Sequence, residues 1–249
     1  MTALALCSGL SAVPFAFSGD WQRAVLAIFV AAVLDGLDGR VARLLKGESR
    51  FGAELDSLSD VIAFGVSPAV IIYFWSLKNL EQAGWLFALA HAVCCAFRLA
   101  RFNSNLDVEW QPHKSAGFLT GVPAPAGAAL LLLPLYLSIW IKEPTVREIV
   151  RQPYVVAPWA AFVAFLMVSS LPTYSWGSLR VRRHIRMGAL IAIGLIGSAL
   201  MVATWATLSV GAAVYVLSMP FSVRSYARIK RQRATAAPRA ESPIPAAQS

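Results

Sequence analysis

Residues Leu34–Asp60 read LDGLDGRVARLLKGESRFGAELDSLSD, a polar stretch between two apolar runs. It holds four aspartates, Asp35, Asp38, Asp56 and Asp60. A carboxylate close to the hydrocarbon core of a bilayer is costly, and it marks a functional site by default. Asp35 and Asp38 are spaced i, i+3, and Asp56 and Asp60 i, i+4, so each pair occupies one face of a helix. If the loop Arg40–Phe51 joins two antiparallel helices, all four carboxylates converge at a similar depth near one membrane boundary. Four such charges repel unless protons or cations lie between them. The donors are oxygens, without neighbouring His or Cys, which selects a hard cation: Mg²⁺ or Mn²⁺, with Ca²⁺ also allowed. Four carboxylates suit two ions with shared ligands, a device that steadies attacking and leaving oxygens in phosphoryl chemistry. Gly36, Gly39 and Gly52 would let a nucleotide or diphosphate approach the backbone closely. Arg40 and Arg43 could hold phosphate oxygens. The competing reading makes the glycines packing sites and the arginines topology signals. Glu54 reads as a surface residue.

The rest of the chain supports a membrane setting for this stretch. Of 249 residues, 57% are hydrophobic and only 14% charged, with a mean hydropathy of +0.61. A soluble domain carries about 25% charged residues, so this chain lacks the polar skin that a soluble fold of its length needs. A crossing helix takes about 20 apolar residues. Hydropathy predicts eight spans: Thr2–Phe17, Trp21–Leu45, Ala53–Trp75, Gly84–Asn103, Gly121–Ile141, Tyr154–Leu171, His184–Ala203 and Trp205–Phe221. The last two divide one apolar run near Thr204. The first has no basic n-region or clear small-residue cleavage site, so it does not read as a signal peptide. It also starts without a polar flank, which leaves room for residues upstream.

Charge sets the expected orientation. With the ends of spans 2, 4, 6 and 8 on one side, that side collects 17 of the 22 Lys and Arg residues. By the positive-inside rule both termini and the Arg40–Phe51 loop face the cytoplasm. The expected organisation is a transmembrane catalytic domain over 1–223 and a cytoplasmic tail over 224–249. The tail begins with the basic run Arg224–Arg233, placed on the membrane surface, and turns Ala- and Pro-rich and disordered from Ala234. The basic excess of +9 serves topology and lipid headgroups rather than nucleic acid. Cys7, Cys94 and Cys95 lie within apolar spans without metal-type spacing, and read as packing residues.

The same residues resemble a known family. Asp35-x2-Asp38-Gly39-x2-Ala42-Arg43-x8-Gly52-x3-Asp56-x3-Asp60 is similar, at every position, to the signature of the CDP-alcohol phosphotransferases. The hydropathy pattern extends the resemblance up to the basic tail. LDGLDGRVAR, SRFGAELDSLSDVIAFGVSPA, FRLARFN at Phe97–Asn103 and GFLTGVPAPAGA at Gly117–Ala128 resemble the bacterial branch whose acceptor is L-serine. The resemblance implies an all-α integral membrane protein of about eight helices in the inner membrane, with its site on the cytoplasmic side. It implies CDP-diacylglycerol and L-serine as substrates, phosphatidylserine and CMP as products, and fits a homodimer. By motif position, Asp35, Asp38, Asp56 and Asp60 would hold two metal ions, with Asp60 also taking the proton of the attacking hydroxyl. Gly39, Ala42, Arg43 and Gly52 would line the CDP site. The family's polar, amphipathic start before the first span is missing here.

For the acceptor, Arg98 and Arg101 at the end of span 4 could pair with a carboxylate, with Asn103, His113 and Lys114 nearby. Plain anchoring is the competing reading of the arginines, with the FRLARFN resemblance favouring a functional Arg101, and a lone loop histidine is usually only solvated. Pro123 and Pro125 either start span 5 or shape the pocket floor. The same core would serve choline, inositol or glycerol phosphate as acceptor. Intramembrane aspartates also mark cation pathways, although these four lie near one membrane face without a matching acidic set on the other.

Overall fold

The computed structural model describes residues 1–45, 50–104, 118–169, 172–174 and 186–236. The chain is a helical bundle: α1 (Thr2–Phe17), α2 (Trp21–Leu45), α3 (Arg50–Asp60), a π-helical turn (Val61–Val66), α4 (Ser67–Trp75), a 3₁₀ turn (Leu77–Leu80) and α5 (Glu81–Ser104). There follow α6 (Ala124–Leu131), α7 (Leu133–Trp140), α8 (Pro144–Arg151), α9 (Pro153–Val168), α10 (Arg186–Val202) and α11 (Thr204–Ala236). One short antiparallel ribbon joins β1 (Phe118–Thr120) to β2 (Pro172–Tyr174), in the register Phe118↔Tyr174. The all-α reading of the sequence holds apart from this ribbon.

The expected spans map onto these elements with informative differences. By length and apolar character, three described helices can cross a membrane: Phe51–Trp75, Leu77–Ser104 and Thr204–Phe221. The pair α8–α9, bent by 54°, makes a fourth if it is one span. The expected count of eight is therefore not reached on those grounds among the described residues. The shortfall has physical reasons. α2 is 25 residues long, but Arg23, Asp35 and Asp38 put charge into it. α1 and α10 have 16 and 17 residues. Span 5 is broken at Leu132 into α6 and α7, two residues before Pro134. The division expected near Thr204 falls between α10 and α11. α11 runs on through the basic run to Ala236, past the expected start of disorder at Ala234; residues 237–249 lie outside the described residues.

Small residues and polar backbone contacts hold the bundle together, as expected where lipid gives no hydrophobic drive between helices. α1 buries Ala5, Gly9, Ala12 and Ala16 as one seam, while α2 buries Ala24, Val25, Ile28 and Ala31. Ser8 Oγ donates to Ala27 O at 2.8 Å across this pair. Proline leaves a carbonyl without its helical donor, and inside a bundle that carbonyl must find another. Pro134 deprives Leu130 O in this way, and Trp159 Nε1 of α9 donates to it at 2.8 Å. Where α4 and α8 end, Arg151 Nε donates to Trp75 O and Ser76 Oγ donates to Arg151 O. At that end of α4 and α5, Tyr73 and Trp85 meet edge to face at 5.2 Å. They line a cavity of about 580 Å³ with Glu81, Gln82 and Leu86, far along the helices from the four aspartates.

The turn between α4 and α5 is tight. A Cβ on Gly84 would lie 1.9 Å from Leu77 O, a backbone atom that cannot swing aside. Gly84→Ala is therefore expected to cost at least about 1–3 kcal/mol, the range for overpacking. A lowered unfolding temperature in detergent checks this, and an unchanged one contradicts it.

Candidate functional site

Asp35 and Asp38 lie in the second half of α2, Asp56 in α3, and Asp60 at the end of α3. All four are half-buried. The fold brings them within electrostatic reach of one another. Asp35 feels the charges of Asp38 and Asp56, Asp56 that of Asp38, and Asp60 those of Asp35 and Asp56. Electrostatic coupling thus links the aspartates of the two helices. Among the described residues no Lys or Arg forms a salt bridge with any of the four. Among the same residues, no three His, Cys, Asp or Glu side chains stand close enough to hold one ion. The donor set nonetheless fits a hard divalent cation in kind: carboxylate oxygens alone, mutually repelling, and half removed from water.

Neighbouring elements fix the cluster. Thr2 Oγ1, in the first turn of α1, donates to Asp38 Oδ2, and Ser59 Oγ donates to Thr2 O at 3.4 Å. Asn103 Nδ2 donates to Ser57 Oγ at 2.9 Å, and Ser57 Oγ donates to Ala53 O at 3.1 Å. Asn103 thus ties the end of α5 to the residue after Asp56. Arg98 lies within electrostatic reach of Asp60, Cys95 and Tyr215. Its Nε is buried and has no hydrogen-bond partner among the described residues. Arg101, by contrast, is exposed and donates from Nη1 to Val168 O at 3.2 Å.

The expected nucleotide-site residues are only partly described. Among the described residues, a side chain at Gly36 or Gly39 would meet no atom within 4 Å. Gly52 lies in the first turn of α3 and is half-buried. Ala42 and Arg43 continue α2, but their side chains, like that of Arg40, lie outside the described residues, as do His113 and Lys114. Glu54 is exposed, as expected. Thr2, Ser57, Ser59 and Tyr215 were not singled out by sequence. A hydroxyl one residue from a site aspartate is the signal for Ser57 and Ser59. Nothing comparable marks Thr2 or Tyr215.

The Asn103–Ser57 bond predicts a coupled effect. Asn103→Ala and Ser57→Ala should each lower turnover about tenfold, the lower end for outer partners of a ligand set. The double variant should fall little further, because both changes break one link. Turnover of the three variants checks this, and full additivity contradicts it.

An all-α membrane bundle with a carboxylate cluster shared by two helices defines a membrane-embedded enzyme class, and comparison assigns it. The chain belongs to the CDP-alcohol phosphatidyltransferase family, whose model matches residues 1–169. A second model, CDP-alcohol phosphatidyltransferase 2, matches residues 184–220. The CDP-diacylglycerol–serine O-phosphatidyltransferase of Mycobacterium bovis is 36% identical over 90% of this chain and 77% of its own. The protein of the same name from Helicobacter pylori is 39% identical over 55% of this chain and 56% of its own. The one from Methanocaldococcus jannaschii is 45% identical over 42% of this chain and 46% of its own.

Proposed function

We propose that this protein transfers the phosphatidyl group of CDP-diacylglycerol to L-serine, giving phosphatidylserine and CMP, at the carboxylate cluster of α2 and α3. The observation that carries the reading is that cluster: four mutually coupled aspartates, spaced by the family's signature, in a chain whose similarity to the mycobacterial serine enzyme runs over 90% of its length. Asp35, Asp38, Asp56 and Asp60 would hold divalent cations, Mg²⁺ or Mn²⁺. When bound, these would neutralise the charge of the diphosphate and of the departing CMP.

The chain's own groups divide the remaining work. The serine hydroxyl is a weak nucleophile that needs a positioned base. Asp60 takes its proton as the serine oxygen bonds to the phosphorus that carries the diacylglycerol. The bond from that phosphorus to the bridging diphosphate oxygen breaks, and the oxygen leaves with CMP. Asp60 suits this task because it alone of the four has both the cluster and Arg98 beside it. Arg98 then holds the serine carboxylate, since its buried Nε–H is unspent. Arg101 is the weaker candidate, being exposed and bonded to Val168 O. By motif position, Gly39, Ala42, Arg43 and Gly52 line the CDP site. The site faces the cytoplasm of a bacterial inner membrane; its cytoplasmic side rests on the 17 of 22 Lys and Arg residues that the expected spans gather on one face.

The test is the identity of the lipid product. Purified protein is given CDP-diacylglycerol and, separately, serine, choline, inositol or glycerol 3-phosphate. Phosphatidylserine from serine alone is expected; product from another acceptor would keep the cluster chemistry and overturn the assignment of Arg98.

A further inference from the structure

The segment after Asp60 is not an α-helix. Val61–Val66 winds as a π-helix before α4 resumes at Ser67. π-turns within helices are rare and concentrate at functional sites. Each helical residue turns the chain by about 100°, so the extra residue of a π-turn rotates the segment before it by that amount relative to the segment after it. Here the rotated part is α3, which carries Asp56 and Asp60. Its angular setting decides whether those carboxylates face Asp35 and Asp38 on α2 or the lipid.

Three contacts hold the turn. Gly9 of α1 packs against it so closely that a Cβ there would lie 2.5 Å from Ala63 Cβ. On the other side a Cβ on Gly65 would lie 3.0 Å from Cys95 Cβ of α5. The third contact is polar. An α-helical donor for Phe64 O would come from residue 68, which is Pro68 and has no N–H. His91 of α5, fully buried, stands with Nε2 at 3.2 Å from Phe64 O. A carbonyl only accepts, so Nε2–H donates. Its Nδ1 is buried and has no partner among the described residues. A histidine whose second nitrogen goes unsatisfied is poorly explained as packing alone; the bond to Phe64 O is what it contributes. The arrangement repeats that of Trp159 Nε1 on Leu130 O below Pro134, but here it adjoins the carboxylate cluster.

We propose that His91 is a positioning residue for Asp60: its Nε2–H bond to Phe64 O pins the π-turn and so holds Asp56 and Asp60 at the angle that faces α2. The inference rests on the role given to Asp60 above. A small misplacement of a reacting group can cost about a hundredfold in rate, while the Arg98 contact assigned to serine stays in place.

Four variants test this, with kcat and KM measured per mole of folded enzyme: His91→Leu and His91→Met, which fill the space without a donor, His91→Gln, whose Nε2 can reach Phe64 O, and Trp159→Phe. Trp159→Phe breaks the matching bond remote from the cluster and gauges stability alone. The expected result, at saturating Mn²⁺, is a loss of kcat of at least tenfold in His91→Leu and His91→Met, with KM for serine within threefold of wild type. His91→Gln should stay within threefold of wild type in kcat, and Trp159→Phe should keep its kcat even if it unfolds more readily. Should His91→Leu not fold, His91→Met carries the same arm, and the failure of both overturns the positioning role in favour of a structural one. So does a kcat within threefold of wild type in either, a matching kcat loss in Trp159→Phe, or a His91→Gln enzyme as slow as His91→Leu. Wild-type protein that releases no CMP, or an Asp60→Asn enzyme with normal turnover, would instead defeat the reading of Asp60 itself.

Discussion

An Asp60→Asn enzyme should release CMP in the presence of serine at least about a hundredfold more slowly than wild type, and up to about ten thousandfold, the range for a lost general base. Asparagine keeps the volume and can accept a hydrogen bond, but it cannot take the proton of the serine hydroxyl. The KM for serine should change only a few-fold, because Arg98 rather than Asp60 is assigned the serine carboxylate. The assay is run at saturating Mn²⁺, so that weaker metal binding does not masquerade as a lost base. A variant that keeps more than a tenth of wild-type turnover would contradict the assignment and leave Asp60 as a charge in the cluster only.

Stripping divalent metal should be equally severe. Four mutually repelling carboxylates on two helices have no described salt-bridge partner, so a bound cation is their natural counter-charge. Chelation should reduce serine-driven CMP release to background, and added Mg²⁺ or Mn²⁺ should restore it. Loss of even an outer partner of a metal site weakens binding about 10–100-fold. Asp35→Asn, which removes a proposed ligand, should therefore raise the Mn²⁺ concentration for half-maximal activity by at least about tenfold. Chelated enzyme that works normally would overturn the metal reading while leaving the transferase reading intact.

The aspartates were legible in the sequence because buried charge is expensive, and helical spacing alone placed each pair on one face. The resemblance carried the chemistry further, to CDP and serine. What the sequence hid lies between elements. Asn103 reads as an acceptor-site candidate beside Arg98 and Arg101, and nothing in the sequence joins it to its partner Ser57, 46 residues away. Arg98 and Arg101 are indistinguishable by spacing; only the packing of α5 and the end of α9 gives Arg101 a carbonyl and leaves Arg98 beside Asp60. The π-turn is written in Pro68, Gly65 and His91 together, and periodicity along one helix cannot join those three. The count of eight spans is not confirmed among the described residues for a related reason. Hydropathy measures apolar length, whereas α2 carries the site's own charges and Pro134 divides span 5.

Serine-driven CMP release from CDP-diacylglycerol by purified wild-type protein, run beside Asp56→Asn at saturating Mn²⁺, tests the central claim most directly. The account predicts release that depends on serine and is lost in the variant, because Asp56 couples to the other three aspartates. Release that persists in Asp56→Asn at the wild-type rate would contradict it, and would move the chemistry away from the four aspartates.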